Sequence, residues 1–197
     1  MPIRPYEAGD LDRLYEICLR TGAAGEDATD QVVEPRLFGE IYAAPYGVLE
    51  AEHAFVVDDG SGVAIGYALG ALDTRAFEAR CETEWWPLLR DRHPIGSGAN
   101  DLDELLIAML HEPHLAEDEV VRTHPSHLHI DLLPEAQGHG WGRALMQHLE
   151  GALRTDGSPG VHLGVSARNA RAHAFYLHLG YEELATAAFG HLLGRRL

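Results

Sequence analysis

Lysine is absent from this chain of 197 residues, and all 15 of its basic residues are arginines. A P-loop ends in Gly-Lys-Ser or Gly-Lys-Thr, and its lysine contacts the phosphates of the bound nucleotide. The sequence therefore excludes a P-loop nucleotide site. A phosphate group bound by this protein must be contacted by backbone N–H groups or by arginines. The arginines nearest in sequence to the glycine-rich stretch described below are Arg143, Arg168 and Arg171.

Positive charge is scarce overall. The 15 arginines face 31 aspartates and glutamates, which leaves a formal net charge of −16. Nucleic acids and anionic membrane surfaces bind proteins through clustered positive charge. We therefore expect neither nucleic acid nor a membrane as a partner. An acidic surface favours a cationic substrate, but its commonest effect is to keep a protein soluble.

Cysteines and long apolar runs are also few. Cys18 and Cys81 are the only cysteines, and two in a chain of this size do not form a disulfide framework. No apolar run approaches the roughly 18 residues that cross a membrane. The first residues lack the basic and apolar segments of a signal peptide. The sequence predicts a cytoplasmic protein, a monomer or homodimer, that folds as one domain over residues 1–197.

The first third of the chain predicts the element order β-α-α-β-β. Asp10 is the expected N-cap of the first helix, and the second helix is expected to end before Pro45. The sequence Asp-Asp-Gly-Ser-Gly between two apolar runs predicts a hairpin. The expected elements are strand 3–6, a helix from residue 11, helix 35–43, strand 54–58 and strand 64–72.

Residues 74–126 lie between two predicted strands and carry no strand pattern of their own. Apolar residues at helical spacing predict a helix over 74–92, with a break near Pro87, and a second helix over 101–111. Residues 112–126 are rich in proline and acidic side chains and predict an irregular connection. We interpret the whole segment as a helical insertion in one fold.

A strand, a glycine-rich loop and a helix follow the insertion. The apolar run 128–133 ends at Pro134, and glycines then alternate at Gly138, Gly140 and Gly142. The backbone N–H groups of such a loop and the positive end of its helix bind anions, because no Cβ blocks an approaching phosphate. The order predicts an anion site, although a glycine-rich turn without a ligand remains an alternative.

The glycine spacing distinguishes between two kinds of phosphate loop. A dinucleotide fingerprint needs Gly-x-Gly-x-x-Gly near the start of a βαβ unit, whereas this chain has Gly-x-Gly-x-Gly late in the sequence. The pattern Gln137-x-x-Gly140-x-Gly142 matches the loop that binds acetyl-coenzyme A instead. Beyond the loop helix, the pattern predicts strand 161–165, helix 170–179 and two closing strands, 182–186 and 189–193.

A second motif follows strand 161–165 and reads Asn169-x-x-Ala172-x-x-x-Tyr176-x-x-x-Gly180-Tyr181. Together with the glycine loop, and in this order, it resembles the GNAT superfamily of N-acetyltransferases. The resemblance implies an α/β fold of mixed type. In that fold, helices flank a central mixed, twisted sheet of six to seven strands, and the insertion lies between strands 3 and 4. It further implies transfer of acetyl from acetyl-CoA to a primary amine, by direct attack on the thioester.

Further stretches are similar to the acetyltransferase-like C-terminal domain of O-GlcNAcase and to its free-standing bacterial relatives. They are spread over nearly the whole chain: Arg4-Pro5-Tyr6, Leu14-Tyr15, Pro45-Tyr46, residues 66–73, Trp86-Pro87 and residues 194–197. The similarity is to that domain alone, so it implies no hydrolase activity. The animal domain lacks an intact glycine loop, whereas this chain keeps one, which favours acetyl-CoA binding.

The resemblance implies a set of cofactor-binding residues. The backbone of Leu132 and Leu133 is expected to pair with the pantetheine amides, where strand 128–133 separates from strand 161–165. Asn169 is expected to bind the pantetheine arm near the sulfur, and it also suits the N-cap of its helix. The remaining cofactor contacts are assigned to Gln137, Gly138, His139, Gly140, Trp141, Gly142, Arg143, Arg171 and Phe175.

Three residues are candidates for catalysis. Tyr176 resembles the GNAT tyrosine that protonates the leaving thiolate, and packing beside Phe175 is its alternative role. Asp131 is the predicted general base, because an acid among apolar neighbours on a strand is costly unless it is paired or functional. Strand alternation places it on one face with His127 and His129, and His129 is the second candidate for the base. A β-bulge, which is common in GNATs at this strand, would reverse that face.

We predict no metal site. The histidines of the stretch 111–129 match no standard zinc spacing. Trp85 and Trp86 are candidates for the wall of an acceptor pocket, with core packing as the alternative. Two other functions remain open: a catalytically silent acetyl-CoA-binding module, which the O-GlcNAcase resemblance permits, and the transfer of a longer acyl group. The sequence does not identify the acceptor, because loops and insertions select it.

Overall fold

A computed structural model describes residues 2–187 and 190–197. The strands are β1 (Ile3–Pro5), β2 (Ala54–Asp58), β3 (Ala64–Ala71), β4 (Ser126–Leu132), β5 (Gly160–Ser166), β6 (Glu182–Ala187) and β7 (Gly190–Arg196). The α-helices are α1 (Leu11–Thr21), α2 (Leu37–Tyr42), α3 (Ala44–Leu49), α4 (Thr74–Arg80), α5 (Trp86–Arg92), α6 (Asp101–His111), α7 (Asp118–Thr123), α8 (Trp141–Thr155) and α9 (Ala170–His178). None of the helices in the described ranges is both long enough and apolar enough to cross a membrane.

The strands form one seven-stranded sheet in the order β1-β2-β3-β4-β5-β7-β6. The pair β4–β5 is parallel and every other neighbouring pair is antiparallel. This confirms the predicted mixed sheet, and the helical insertion lies between β3 and β4 as expected. Of the predicted strand 189–193, Phe189 lies outside the described residues, and β7 pairs with β5 as far as Arg196.

Helices cover both faces of the sheet. On one face α8 packs against β3, where a Cβ at Gly70 would come within 2.8 Å of the Leu149 side chain. Side chains alternate along a strand, so Tyr67 points to the opposite face. There it contacts Cys18 of α1, which is also buried. The central strands β3 and β4 are therefore enclosed between α8 and α1, and this rigid layer holds the site described below.

The expected side-chain cap at Asp10 is not formed. Asp10 precedes α1 but its backbone is helical and its carboxylate does not cap the helix. Instead that carboxylate accepts bonds of 2.7 and 2.8 Å from Arg4 and one of 2.9 Å from the Glu7 N–H. A bidentate pair with arginine joins two opposite charges through two hydrogen bonds, whereas a cap would give the carboxylate only uncharged N–H donors, and the pair ties α1 to β1.

The predicted helix 35–43 is shorter in the structure and is followed directly by another helix. Pro45 does not end helical structure, because it lies in the first turn of α3. Proline is tolerated there, since the N–H groups of the first turn have no intrahelical acceptor. The predicted end of α2 before Pro45 is therefore confirmed, and the new helix that begins there was not predicted.

The insertion is more helical than predicted. Residues 112–126 were expected to be irregular, yet they contain α7 and the first residue of β4. The predicted break near Pro87 is present as a π-helical segment, Cys81–Trp85, between α4 and α5. Glu117 is extended and precedes the acidic first turn of α7, where Asp118 and Glu119 favour the positive helix end. That charge pattern explains the unpredicted helix.

Candidate active site

The parallel strands β4 and β5 separate soon after they begin. They pair only at Ser126–Val161 and His127–His162. On its other side β4 stays paired with β3 as far as Leu132. The β4 backbone that faces β5 beyond His127 thus lacks a strand partner among the described residues. We call this opening, between residues 128–132 and 163–166, the β4–β5 gap; it is the separation that the sequence comparison with GNATs led us to expect.

The register with β3 determines which backbone groups point into the gap. The Leu133 N–H donates a 2.9 Å hydrogen bond to the Ile65 carbonyl, on the β3 side. Backbone direction alternates along an antiparallel strand, so the groups of Ile130 and Leu132 face the gap. Of the two predicted backbone partners of pantetheine, Leu132 lies at the gap, whereas the amide of Leu133 is already used and its side chain is fully buried.

Two glycines of the loop have a backbone conformation that other residues rarely adopt. Gly138 has a φ of 79° and Gly140 a φ of 83°. A Cβ at either residue would meet no protein atom within 4 Å, so open space and not packing surrounds them. Gly142 differs, because its Cβ would lie 3.2 Å from both Leu132 and Phe175. Glycine at 142 lets α8 approach β4 and α9 closely.

The loop and the start of α8 present a row of free N–H groups. Gly140 is the N-cap residue of α8 and provides no side-chain cap. The first intrahelical bond is donated by Ala144 to the Gly140 carbonyl, at 3.1 Å. Within the described residues, no acceptor is recorded for any backbone N–H from Gly138 to Arg143. Unpaired donors at the positive end of a helix form an anion-binding site.

Gln137 connects this loop to its neighbours. Its Nε2 donates to the Leu132 carbonyl at 2.7 Å, and its Oε1 accepts from Arg171 at 2.6 Å. The gap-facing carbonyl of Leu132 is therefore bonded to a side chain and not to a neighbouring strand. The other predicted loop side chains, His139 and Arg143, are exposed to solvent beside the free N–H groups, and Trp141 is half-buried.

Asn169 lies at the start of α9, next to the gap. Its Oδ1 accepts a 2.9 Å bond from the Ala172 N–H, so it caps the helix as the sequence suggested. A Cβ at Gly25 would come within 2.8 Å of the Asn169 Nδ2, which places the loop after α1 against this side chain. The cap leaves the amide nitrogen of Asn169 directed towards that loop.

Tyr176 is buried on α9 between two aromatic rings. The ring centroids of Phe175 and Tyr181 lie 5.4 and 5.6 Å from its own. Among residues 2–187 and 190–197, none forms a hydrogen bond with its hydroxyl. Burial raises the pKa of Tyr176, and the negative charge of Asp131 raises it further. The phenol is thus protonated at neutral pH, and none of the described residues accepts its proton.

Asp131 is on the face that strand alternation predicts. Its pairing with β3 is continuous from Leu132 back to His127, with no bulge in this stretch. The carboxylate accepts a 2.6 Å hydrogen bond from the Tyr67 hydroxyl. Burial raises the pKa of Asp131 to about 6, against the opposing effects of the Tyr67 hydrogen bond and of the nearby Thr21 hydroxyl. As a residue, Asp131 is half-buried.

The two histidines on the same face have different environments. His127 is bonded through both ring nitrogens, at 2.6 Å to the Tyr46 hydroxyl and at 2.8 Å to the Thr74 hydroxyl. Burial lowers its pKa well below the ordinary value. His129 contacts the rings of Tyr42 and Tyr46, and its nitrogens have no recorded hydrogen bond in the described part of the chain. Burial lowers the pKa of His129 to about 4, so it is neutral at pH 7.

A cavity of about 560 Å³ adjoins His129, between the sheet and the insertion. We call it the insertion pocket. Both tryptophans pack against the core, but only Trp86 lines the insertion pocket, whereas Trp85 donates from Nε1 to the Glu40 carbonyl at 2.9 Å. Structure thus separates the two tryptophans that the sequence left equivalent.

Sequence reasoning missed the partners of Asp131. Tyr67 and Thr21 are far from it in the chain, and only the β3–β4 register and the packing of α1 bring them together. Tyr67 stands alone among small and apolar residues of β3, which is the one signal that singles it out. A large polar side chain at a fully buried position requires a partner.

Two groups of described residues bring three potential metal ligands within 4.8 Å of one another. One group is His173, Glu183 and His191, and the other is Glu50, Glu52 and His53. Neither group lines the insertion pocket. Within the described ranges, the histidines of the stretch 111–129 contribute to neither group.

The chain matches the family described as Acetyltransferase (GNAT) family over residues 14–181. It is 26% identical to Protein O-GlcNAcase of Rattus norvegicus over 186 residues, which cover 93% of this chain and 20% of that protein. It is 32% identical to Mycothiol acetyltransferase of Beutenbergia cavernae over 190 residues, 92% of this chain and 60% of that protein. The chain thus corresponds to only a part of each of these curated relatives.

Solved structures share the fold. The crystal structure of SsHAT is 43% identical, with a TM-score of 0.93, and the match covers 99% of this chain and 97% of that one. A phosphinothricin acetyltransferase from Sinorhizobium meliloti, in complex with acetyl-CoA, shares the fold at a TM-score of 0.61 and 20% identity, over 100% of this chain and 88% of that one. The separation of β4 from β5 and the glycine loop agree with the family match over residues 14–181. The chain therefore belongs to the GNAT family of acetyltransferases.

Proposed function

We propose that this protein is an N-acetyltransferase that uses acetyl-CoA to acetylate a primary amine. The observation that carries the proposal is the run of unpaired N–H groups from Gly138 to Arg143, which lies beside the open edge of β4. Family membership supports acetyl transfer in general, and this arrangement adds a place for the donor. A pyrophosphate satisfies the loop donors, and amides of an extended pantetheine arm satisfy the strand edge.

The residues around the loop complete the proposed donor site. Arg143 and His139 are exposed beside the free N–H groups, where they can contact phosphate oxygens. When the pantetheine arm occupies the gap, Gln137 releases the Leu132 carbonyl and keeps its contact with Arg171. Asn169 lies beside the proposed course of the arm near the sulfur, with its Nδ2 directed to the loop at Gly25, while Phe175 and Trp141 pack around the arm. Leu133 contributes only buried packing beneath the strand.

Acetyl-CoA supplies an activated acetyl group as a thioester. The amine nitrogen attacks the carbonyl carbon, so that the C–N bond forms and the C–S bond breaks. The leaving thiolate, whose thiol has an ordinary pKa of about 8.5 for the comparable cysteine, takes the proton of the Tyr176 hydroxyl. That hydroxyl has no acceptor within the described residues. Tyr176 is then returned to its phenol form by the proton lost from the amine.

Asp131 is the proposed first acceptor of that amine proton, which it then passes on to the phenolate of Tyr176. With a pKa of about 6 it is ionised at pH 7 to 8, yet it is a stronger base than an ordinary aspartate. His129 lies two residues away on the same face, at a spacing of about 7 Å. Its pKa of about 4 makes it a weaker base. Water molecules between the two side chains can carry the proton to Asp131.

Thiol release in the presence of a panel of amines tests this function. We expect acetyl-CoA to bind and thiol to appear only when a suitable amine is added. Tight binding of acetyl-CoA without turnover of any amine would contradict the proposal and would instead support a binding module without catalysis. Longer acyl-CoA donors in the same assay show whether the donor site is specific for acetyl.

A further inference from the structure

The insertion pocket meets the β4–β5 gap at His129. This residue is two positions beyond the last β4–β5 pair, where the strands have begun to separate. The pocket is bounded on one side by β4 and β5 and on the other by α2, α4, α5 and α6. Its volume of about 560 Å³ falls within the roughly 300–1,000 Å³ of small-molecule sites. An acceptor bound there has its reacting end at the gap.

The walls of the insertion pocket are mainly aromatic and aliphatic. Side chains from α2, α3, the insertion and β7 contribute them: Ile41, Tyr42, Tyr46, Phe77, Trp86, Met109, Leu110 and Leu192. Flat aromatic surfaces on several sides favour a ligand with an aromatic ring, through edge-to-face and offset contacts. The ring pairs already present, such as Tyr46 with Phe77 at 4.5 Å, show that these side chains are preorganised.

Several polar side chains of the wall already have hydrogen-bond partners within the protein. Tyr46, His127 and Thr74 form a hydrogen-bonded chain that ends at the Pro125 carbonyl, 2.7 Å from the Thr74 hydroxyl. His162 is bonded at 2.7 Å to the His124 carbonyl. A ligand with further amides or hydroxyls would have to bury them without these partners, at a cost in affinity.

The charges of the wall are also neutralised. Glu78 pairs with Arg75 at 2.7 Å, and it accepts a 2.9 Å bond from the Ala116 N–H. Glu117 is exposed to solvent, where attraction to a cation is weak. The pocket therefore offers little to the second or third ammonium group of a polyamine.

His129 provides a polar contact at the end nearest the gap. Its ring nitrogens have no recorded hydrogen bond within residues 2–187 and 190–197, and the side chain lines the pocket. A neutral imidazole nitrogen accepts a hydrogen bond from an amine and directs that amine to the adjacent thioester. His129 is thus a positioning residue that leaves the base role to Asp131.

We propose that the acceptor is a small amine with an aromatic body, of the arylalkylamine class, bound in the insertion pocket with its nitrogen at His129. This inference rests on the proposed acetyl transfer and specifies the acceptor for that same site. Peptides and polyamines are the classes that the pocket disfavours.

Calorimetric binding and thiol release with phenethylamine, tryptamine, spermidine and a lysine-containing peptide test the inference. With CoA present, we expect the two arylalkylamines to bind and the other two probes to bind at least about 100-fold more weakly. With acetyl-CoA, kcat/KM is expected to follow the same order. Equal or tighter binding of spermidine or the peptide, or no binding of either arylalkylamine, would overturn the proposed acceptor class.

Two substitutions localise the effect. Trp86→Ala removes an aromatic wall and is expected to raise KM for phenethylamine about tenfold or more with little change in kcat. Leu88→Ala, at an exposed position of the same helix, is the control and is expected to leave both constants unchanged. Leu115→Asp places a carboxylate at the half-exposed rim of the pocket, where folding tolerates it. This variant is expected to lower the ratio of kcat/KM for phenethylamine to kcat/KM for spermidine.

The binding measurements keep this inference separate from the proposed function. Binding of phenethylamine that Trp86→Ala weakens, without any thiol release, supports the pocket assignment and contradicts the proposed catalysis. Thiol release with spermidine or the peptide, but not with arylalkylamines, supports the proposed catalysis and contradicts the proposed acceptor class. An unchanged KM in Trp86→Ala, in a variant that folds, would also overturn the pocket assignment.

Discussion

The Tyr67 hydroxyl donates a 2.6 Å hydrogen bond to the carboxylate of Asp131, directly across the β3–β4 pair. Tyr67 is fully buried, so this bond joins the core of the sheet to a residue that is half-buried. The hydrogen bond lowers the pKa of Asp131, but burial has the larger effect and raises that pKa to about 6. The carboxylate is thereby a better base than an aspartate in water, and it stays oriented by a rigid neighbour.

Asp131→Asn is expected to lower turnover about 100-fold or more, because the amide accepts no proton. In the wild type the rate should fall as the pH drops through about 6, the pKa of Asp131. His129→Gln is the comparison variant, and its rate should still fall as the pH drops through about 6. A wild-type limb near 4, the pKa of His129, would assign the base to His129 instead.

The same substitution is expected to stabilise the protein at high pH. The pKa of Asp131 is raised from 3.8 to about 6 in the folded state. The stability associated with its neutral form is complete below pH 3.8 and is lost as the pH rises through about 6. Asp131→Asn should therefore increase the free energy of unfolding by up to about 3 kcal/mol at pH 8 and by little at pH 4. Urea unfolding at both pH values measures this, and an equal effect at both would contradict it.

Tyr176→Phe is expected to reduce kcat about 10- to 100-fold, through loss of the proton donor, with unchanged affinity for acetyl-CoA. Its free energy of unfolding should change by less than about 0.5 kcal/mol, because the hydroxyl has no bonding partner in the described chain. Tyr181→Phe is the matched control on a neighbouring ring. It removes a 2.9 Å bond to buried Glu150 and should cost about 1–3 kcal/mol of stability without a comparable loss of kcat. Identical kinetics in the two variants would remove Tyr176 from the mechanism.

Gly140→Ala is expected to raise the Kd for acetyl-CoA about tenfold or more, because its Cβ occupies the approach of the pyrophosphate. Gly157→Ala is a control at the opposite end of α8. Both glycines have positive φ, 83° and 94°, and a Cβ at either meets no protein atom within 4 Å. The conformational strain, roughly 1–2 kcal/mol, is therefore similar in the two variants. If calorimetry gave both the same Kd, the loop would not be the donor site.

His129 is expected to make the protein less stable in mild acid. Its pKa is lowered from 6.5 to about 4 in the folded state. The stability associated with the neutral ring is complete above pH 6.5 and is lost as the pH falls towards 4. The loss from this group is about 2 kcal/mol between pH 7 and pH 5. In urea unfolding, His129→Phe should remove that loss, whereas His178→Phe, at an exposed position of α9, should keep it.

Local sequence patterns predicted the elements that position the site. The alternation along β4 correctly placed Asp131 and His129 on one face, because the pairing with β3 contains no bulge there. Glycines at 138 and 140 indicated an open loop, because few other residues adopt positive φ at low cost. The helix over 101–111 was predicted with its bounds, since Asn100 caps it and its apolar spacing is regular.

Contacts between distant segments were the part that sequence did not predict. Tyr67 and Thr21 reach Asp131 only through the sheet register and the packing of α1. The Leu133 N–H donates to the Ile65 carbonyl because the backbone of Leu133 points towards β3. The apolar pattern does not show which residues of β4 have their backbone groups on that side. The helix α3 was also not predicted, because a proline such as Pro45 occurs both after the end of a helix and in the first turn of one.

The central claim is that acetyl passes from acetyl-CoA to an amine on this protein. Mass spectrometry of the amine, combined with thiol release in the same reaction, tests it most directly. With phenethylamine as acceptor, we predict one acetylated amine for each thiol released, and a strong reduction of both in Tyr176→Phe. Binding of acetyl-CoA without an acetylated product from any amine, or thiol release that needs no amine, would contradict the claim.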